Sequence, residues 1–353
     1  LPGGTPVTRS VAHAWDYLRC RATQQTVEPS STTLRVTTDF AYDAYGNVGT
    51  VSVTPAAQPV RTTSYTWTDN GRFLGRTTNA EGHVETVTWD AALARPTSLT
   101  DPNGLVTTLQ HDSLGRLVQQ ARPAGTSLAI PRDSCGATCA RPGTAYAVRA
   151  TERGAGGLAI ATLERGFAAY ERELYEKQDQ PGGRQSFRVQ VYDARGQLAQ
   201  QSIPAPCCAT PSRWITHRYD LLGRRTSTER PTSEQVSTPA VTRWRYDGLG
   251  VTETDALGRN TIRRTDALGR VLQVVDPGLT DTDYEYDAFG NLVKVRDAGG
   301  TETVVGFDVR GFRRSIGDPN AGQWTYDYLP LGELRSQVNP RGQATSFTYD
   351  RLS

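Results

Sequence analysis

With 353 residues, 37% of them apolar, and 39 basic against 37 acidic side chains, the chain is long enough for two or three domains or for one repeat array. No block of like charge stands out, which argues against a nucleic-acid groove or an anionic membrane surface as partner, and no apolar run reaches the 18 residues a membrane helix needs. Tyr, Trp, Leu and Val recur throughout, which excludes a disordered chain, and 34 Gly with 20 Pro suit a turn-rich β protein.

In chain order, residues 1–35 carry no repeat and are expected to form a lead-in or capping segment. From residue 36 a self-similar unit sets in, an aromatic residue followed by Asp and, three residues later, Gly. Tyr42-Asp43 with Gly46 comes first, then Trp67 with Asp69 and Gly71, Trp89-Asp90, and His111-Asp112 with Gly115 and Arg116. Residues 36–122 are read as one run of repeats. Residues 123–160, rich in Cys, Pro and Gly, read as an insertion in which Cys135 and Cys139 could close a small disulfide loop, with idle thiols as the equal alternative. The five Cys (Cys20, Cys135, Cys139, Cys207 and Cys208) do not have zinc spacing.

Residues 161–353 return to repeats, the whole being one continuous repeat domain. Leu163, Phe167, Tyr170 and Leu174 have helical spacing, but their flanks are strand-like and strands are expected. The series continues with Tyr192-Asp193 and Gly196, Tyr219-Asp220 with Gly223 and Arg224, and Tyr246-Asp247 with Gly250. Asp266 with Gly269 and Arg270, Tyr286-Asp287 with Gly290, and Phe307-Asp308 with Gly311 come next. Tyr326-Asp327 and Tyr349-Asp350 complete it. Within each run, successive units stand 19 to 27 residues apart.

One unit can be read chemically. In Asp112-Ser113-Leu114-Gly115, Asp opens and Gly closes a four-residue type I turn, the Asp carboxylate taking backbone N–H groups. A return turn such as Asp101-Pro102-Asn103-Gly104 closes the other end, its Pro presetting φ. Between turns lie strand-length runs rich in Thr, Val, Leu and Tyr. The segment Thr-Asp-Ala-Leu-Gly-Arg occurs at 254–259 and again at 265–270, half a period apart, as expected if both hairpin ends use one turn. The expected fold is therefore all-β: repeated antiparallel β-hairpins of about 20–27 residues per repeat. Roughly 25 strands at about 4.8 Å each cannot stay flat, so the ribbon should curl or spiral into a shell segment.

The iterated Tyr-Asp-x-x-Gly-Arg/Asn-Leu, with Asp-Pro-x-Gly at the return turn, resembles the RHS/YD-repeat family over nearly all of residues 36–353. That family includes shells of insecticidal toxin complexes, bacterial polymorphic toxins and teneurins. The segments around Leu163, Arg165-Gly166 and Tyr192 are most similar to the toxin-complex type. The resemblance implies a spiral β-shell that in bacterial members encloses a C-terminal toxin or effector. Its partners would be the rest of a larger shell polypeptide or a partner shell subunit, and the enclosed domain. The expected localisation is secreted or cell surface, in a GC-rich bacterium, because all but Lys177 and Lys294 of the basic residues are Arg. The absence of Met suggests a mature fragment or excised piece. The family's self-cleaving core has no counterpart here, so neither cleavage nor toxicity is carried over.

No active site is expected. The four His (His13, His83, His111 and His217) are scattered, most Asp fall at turn positions, and no phosphate loop, nucleophile elbow or dinucleotide fingerprint occurs. The chain reads as a non-enzyme without cofactor or metal. The alternative function is a cell-surface adhesion or carbohydrate-binding module, in which Trp67, Trp89, Trp214, Trp244 and Trp324 would stack on glycans instead of filling the repeat core. A hydrolase is the remaining reading.

Overall fold

The computed structural model describes residues 8–134, 141–179, 182–206, 210–232, 238–278 and 280–351. These residues form thirty-one β-strands and a single short 3-10 turn, Ala169–Glu171. Every strand pair described is antiparallel, and nearly all join consecutive strands, so the expected class of repeated hairpins is the observed one. The chain divides into two compact units, residues 1–87 with 263–353, and residues 88–262.

In the first unit, Val11–Asp16 pairs with Arg21–Val27, and the meander continues through Val36–Tyr42, Val48–Pro55, Arg61–Thr68 and Phe73–Thr78 to Val84–Asp90. A second meander runs from Val271–Val275 through Asp281–Tyr286, Leu292–Arg296, Glu302–Phe307, Arg313–Asp318, Gly322–Tyr328 and Leu334–Val338 to Ala344–Ser346. The lead-in segment thus holds a hairpin of its own. Its turn is opened by Trp15-Asp16, a divergent copy of the aromatic–Asp pair 27 residues before Tyr42.

The second unit starts with Arg95–Thr100, Val106–His111, Leu117–Ala121 and Ser127–Ala129. Tyr146–Arg153 then pairs with both Ser127–Ala129 and Arg132–Ser134 on one side and with Ala159–Phe167 on the other. Glu173–Asp179 and Gln185–Tyr192 follow, and later hairpins lead to Gly250–Thr254. Leu163 and Phe167 therefore stand in a strand, despite their helical spacing, because both neighbours of that segment offer strand edges.

The core is small. Tyr175, Phe187 and Val189 are buried, with Leu174 and Trp214 packed against them, while most other strand positions are half-buried. Gly166 lies across from Tyr175, and a Cβ there would overlap the phenol ring; the missing side chain is what lets Tyr175 lie flat and lose all its exposure.

The repeat register is set by a bulge next to most of the aromatics, Tyr246 being an exception that pairs with Val251 in unbroken register. Tyr42 pairs with Val48, Tyr192 with Leu198, Tyr219 with Arg225, Tyr286 with Leu292 and Phe307 with Arg313, each six residues on, with a register shift one residue before the aromatic. The structure differs from the sequence reading at one unit. Tyr328, not Tyr326, takes the aromatic position, pairing with Leu334 across the same kind of shift. Leu329 then stands where Asp stands elsewhere, and positions 265, 286, 307, 328 and 349 become spaced by 21 residues without exception.

Candidate functional site

The recurring site is the turn edge. At Asp112 the backbone N–H pairs with the Arg116 carbonyl at 2.9 Å, and the Gly115 N–H returns to the Asp112 carbonyl at 2.9 Å. One carboxylate oxygen of Asp112 accepts the N–H groups of Leu114 and Arg116, at 3.0 and 2.9 Å, and the other takes Arg116 Nε at 2.7 Å. Gly115 has φ +75°, a left-handed conformation that an L side chain adopts only at a cost. The backbone part of this pattern recurs at Asp43, Asp193, Asp220, Asp255, Asp266, Asp287 and Asp308, and the side chain four residues on takes the second carboxylate oxygen at Asp43, Asp220, Asp255, Asp266 and Asp287. The backbone N–H of Arg116 holds the Asp112 carboxyl below its usual range, as that of Arg259 does at Asp255. At Asp90 the carboxylate caps Ala92 and Leu93 instead, and Asp247 faces Gly250 across a tighter turn with Gly248 at φ +56°.

The aromatics tie one repeat to the one before. Tyr219 OH donates to the Leu198 carbonyl at 3.0 Å, Tyr246 OH to that of Arg225 at 2.9 Å, and Tyr349 OH to that of Leu334 at 2.9 Å. Trp67 Nε1 donates to the Val48 carbonyl at 2.8 Å. In all four the acceptor stands six residues after the previous repeat's aromatic, on the exit strand of its turn. Tyr42 reaches back in the same way to Ala22 at 2.6 Å. Tyr192 donates to Gln190 instead, Tyr286 lies beneath the Arg270 guanidinium at 5.0 Å, and Phe307 has no hydroxyl to offer.

Residues inside the turns add a second set of ties. Asn47 Nδ2 donates to the Gly71 carbonyl at 2.8 Å and Gln197 Nε2 to that of Gly223 at 3.2 Å, each one repeat on. Arg224 both pairs with Asp220 and stacks on Tyr246, 4.3 Å from the ring centre. Arg310, its side chain only 9% exposed, pairs with Asp308 at 2.7 Å and donates to the carbonyls of Leu329 and Pro330, both at 2.9 Å.

Within the first unit the return turns of the N-terminal meander also meet the aromatic turns of the C-terminal one. Arg61 and Glu333 form an ion pair at 2.7 Å, with side-chain exposures of 18% and 10%. Arg9 lies 3.9 Å over the Phe289 ring, and Arg351 faces Glu81 at 4.0 Å. A cavity of about 590 Å³ lies along this seam, between Thr32, Leu34 and Gln58 on one side and Arg310, Tyr328 and Pro330 on the other. Phe289, under Arg9, is 44% exposed, against 79% for Leu268 at the same place one repeat earlier.

The second unit holds most of the buried polar chemistry. The Tyr175 hydroxyl donates to Glu164 at 2.7 Å, and Arg149 donates to the other oxygen of Glu164 at 3.0 and 2.8 Å. Burial opposes ionisation of Glu164, but these donors outweigh it and hold the carboxyl below its usual range. Glu173 is pushed up by burial, and takes Gln190 Nε2 at 2.8 Å. His217 is buried beside Thr228, with Nδ1 3.0 Å from Oγ1, and burial followed by Arg225 and Arg230 lowers its basicity.

Of the tryptophans, Trp244 Nε1 donates to Glu253 at 2.9 Å, Trp214 packs on the core, and Trp324 pairs across strands with Ile316. Cys20 is free and exposed, whereas Cys135 and Cys139 lie outside the described residues. Among the described residues no helix is long and apolar enough to cross a membrane.

No curated protein matches the chain in sequence. Residues 89–127 and 255–302 match the family model described as RHS Repeat. Among solved structures, the crystal structure of TcdB2-TccC3-Cdc42 superposes with a TM-score of 0.70 at 13% identity, over 89% of this chain and 22% of that one. TcdB2-TccC3 without its hypervariable C-terminal region gives 0.70 at 12% identity, over 98% and 23%, and TcdB2-TccC3 gives 0.62 at 14%, over 98% and 21%. The chain spans about a fifth of the length of these structures. Residues 89–127 and 255–302 are thus similar to RHS repeats, the aromatic–Asp turns and reach-back hydrogen bonds carry the same pattern beyond them, and the fold is that of the TcdB2-TccC3 structures.

Proposed function

We propose that the chain is a wall segment of an RHS-type shell, whose work is to enclose or present another polypeptide in a larger secreted or cell-surface bacterial protein. The observation that carries this reading is the seam of the first unit, where one row of turns seats on another through Arg61–Glu333 and Arg9–Phe289. A ribbon that rests its own turn edges on one another is built to make a barrier, since each layer covers the edge that the previous one leaves open. The apolar turn tips left bare, Leu114 and Leu222 among them, are the natural seats for further layers or for a partner shell subunit. The superposition on the TcdB2-TccC3 structures supports the same reading at the level of fold. The carboxylates of the turns are consumed in capping backbone N–H groups, which favours a structural over a catalytic use of them.

The test is protease protection in the complete natural polypeptide that carries this segment. If the wall encloses a downstream segment, that segment should resist digestion until the repeats are opened by denaturant. Digestion at the same rate with and without an intact wall would overturn the reading.

A further inference from the structure

The cavity along the seam of the first unit does not stand alone. It shares Ala56, Ala57 and Gln58 with a hollow of about 540 Å³ over Thr26, Arg35 and Thr37. It shares Arg314, Tyr326 and Asp327 with another of about 560 Å³ over Gly306, Ser336 and Val338. The floor of that second hollow follows from the strand register: Gly306 pairs with Ser315, Ser315 with Thr325, and Thr325 with Val338, a row of small side chains across four strands. All these residues belong to the first unit. Three hollows in series exceed the roughly 1,000 Å³ that bounds a small-molecule pocket. They form a groove of a size for a chain.

The fold leaves several polar groups along this groove without partners. Gln58 Oε1, where two of the hollows meet, is buried and accepts no hydrogen bond. Beside it, Ala57 has φ +55°, a conformation that glycine adopts more readily. The Tyr326 ring lies under the Arg313 guanidinium at 4.6 Å, and the Tyr328 ring stacks on Phe312 at 5.2 Å. Held in this way, their hydroxyls make no hydrogen bond to any described residue, unlike those of Tyr42, Tyr219, Tyr246 and Tyr349. Arg35 and Arg314 form no ion pair with any described residue. Of the two carboxylates in the groove, Asp308 is taken by Arg310 at 2.7 Å, and Asp327 lies 3.5 Å from Arg335. The charge left open is therefore positive.

We propose that this groove seats an extended acidic segment of the polypeptide that the wall encloses or presents. The source of that segment rests on the shell reading, whereas the chemistry of the groove does not. An extended chain offers a backbone N–H to Gln58 Oε1 and carbonyls to the two phenols. Such a match removes the cost of a buried acceptor with no donor. Carboxylates of the same segment meet Arg35 in one end hollow and Arg314 at the entry to the other, and guanidinium is the planar donor that fits a carboxylate. A basic segment would meet unpaired guanidiniums instead, which like-charge repulsion disfavours.

The test is fluorescence anisotropy on the whole chain with labelled peptides of repeating Glu-Thr-Val, Gln-Thr-Val and Lys-Thr-Val, and with oligothymidylate as a second polyanion. The acidic peptide should bind saturably, about tenfold more tightly than the neutral one, and the basic peptide should not bind. Arg35→Gln combined with Arg314→Gln should weaken the acidic peptide about tenfold. The melting temperature of that variant should stay at the parent value, since neither arginine is paired within the fold, so lost binding would not be lost folding. Arg218→Gln, in the second unit, should leave binding unchanged. In the complete natural polypeptide, a photo-crosslinking residue in place of Gln58 should join an acidic stretch of the enclosed segment. No saturable binding of the acidic peptide, binding in the double variant within about twofold of the parent, equally tight binding of oligothymidylate, or a crosslink only to another copy or to other repeats would overturn the inference. Any of these results together with protease protection of the downstream segment would leave the wall and remove only the groove's part in it, so the two readings fail separately.

Discussion

The phenol of Tyr219 donates to the carbonyl of Leu198, 3.0 Å away and 21 residues earlier in the chain. This bond makes the repeat more than a series of independent hairpins, because it ties the aromatic of one unit to the turn-exit strand of the unit before. A neutral hydrogen bond of this kind contributes about 0.5–1.5 kcal/mol. Tyr219→Phe keeps the ring and removes only the donor, so it should lower stability by about that amount, read as the midpoint of urea unfolding. Tyr286→Phe, where no such carbonyl bond is made, should cost less. Equal effects at the two positions would remove the reach-back bond as a stabilising device.

Gly115→Val should weaken its hairpin. The residue has φ +75°, and an added Cβ would stand 3.0 Å from Arg95 Nε, so strain and crowding act together. Left-handed strain in a β-branched residue costs about 1–3 kcal/mol. A thermal melt unchanged from the parent would contradict the turn geometry.

Gly166→Ala probes the core of the second unit. The new methyl would overlap the Tyr175 ring, which is fully buried and hydrogen-bonded to Glu164. Overpacking of this sort costs about 1–3 kcal/mol. The tyrosine fluorescence and near-ultraviolet circular dichroism of the unit should change along with the unfolding midpoint, and an unaltered midpoint would show that the ring moves aside freely.

His217 gives a pH dependence with a definite sign. Burial lowers its folded-state basicity below the ordinary 6.5, so the unfolded chain binds the proton more readily. Its contribution to stability is therefore complete above pH 6.5 and is lost as pH falls through the folded-state value. Unfolding midpoints should decline on acidification from pH 7.5 towards 5, and His217→Gln should flatten that decline. The turn aspartates act in a separate window: Asp112 and Asp255 are held below their ordinary 3.8, so their contribution is present above that value and is lost only in stronger acid. An unfolding midpoint independent of pH between 7.5 and 5 in the parent would exclude the role given to His217.

The seam can be broken at one residue. Arg61→Ala takes from Glu333, 10% exposed, the guanidinium it pairs with at 2.7 Å. Pairs in solvent contribute about 0–1 kcal/mol, whereas a shielded carboxylate stripped of its partner costs more. The loss should exceed about 1 kcal/mol and should be partly recovered in Arg61→Ala with Glu333→Gln. A loss no larger than that of Arg218→Ala, whose pair with Glu229 is exposed, would show that the seam carries no load.

Much of the fold was legible in the residues. The Asp–Gly turns, the strand lengths and the all-β class follow from interactions spanning four or five residues, so local pattern suffices to read them. Legibility failed where the pattern is degenerate. Trp15-Asp16 opens a turn without the glycine that marks the others, so the motif does not reveal it. Tyr326-Asp327 has the dipeptide of a repeat start, but the bulge places Tyr328 in that position, and the constant spacing of 21 is the sequence signal that agrees with it. Glu171 carries no sequence mark, because the left-handed conformation it adopts is one that most of these turns leave to glycine.

By itself, the order of amino acids determined that this chain makes hairpins, where they turn, and which aromatics line up, because backbone geometry and side-chain capping act over a single turn. Tertiary structure alone decided which carbonyl each aromatic reaches, that Arg61 meets Glu333, and that Gln58 and Tyr328 line one cavity. Those contacts join residues far apart in the chain, and their formation depends on how the twist of each hairpin accumulates from one repeat to the next, which no local motif records.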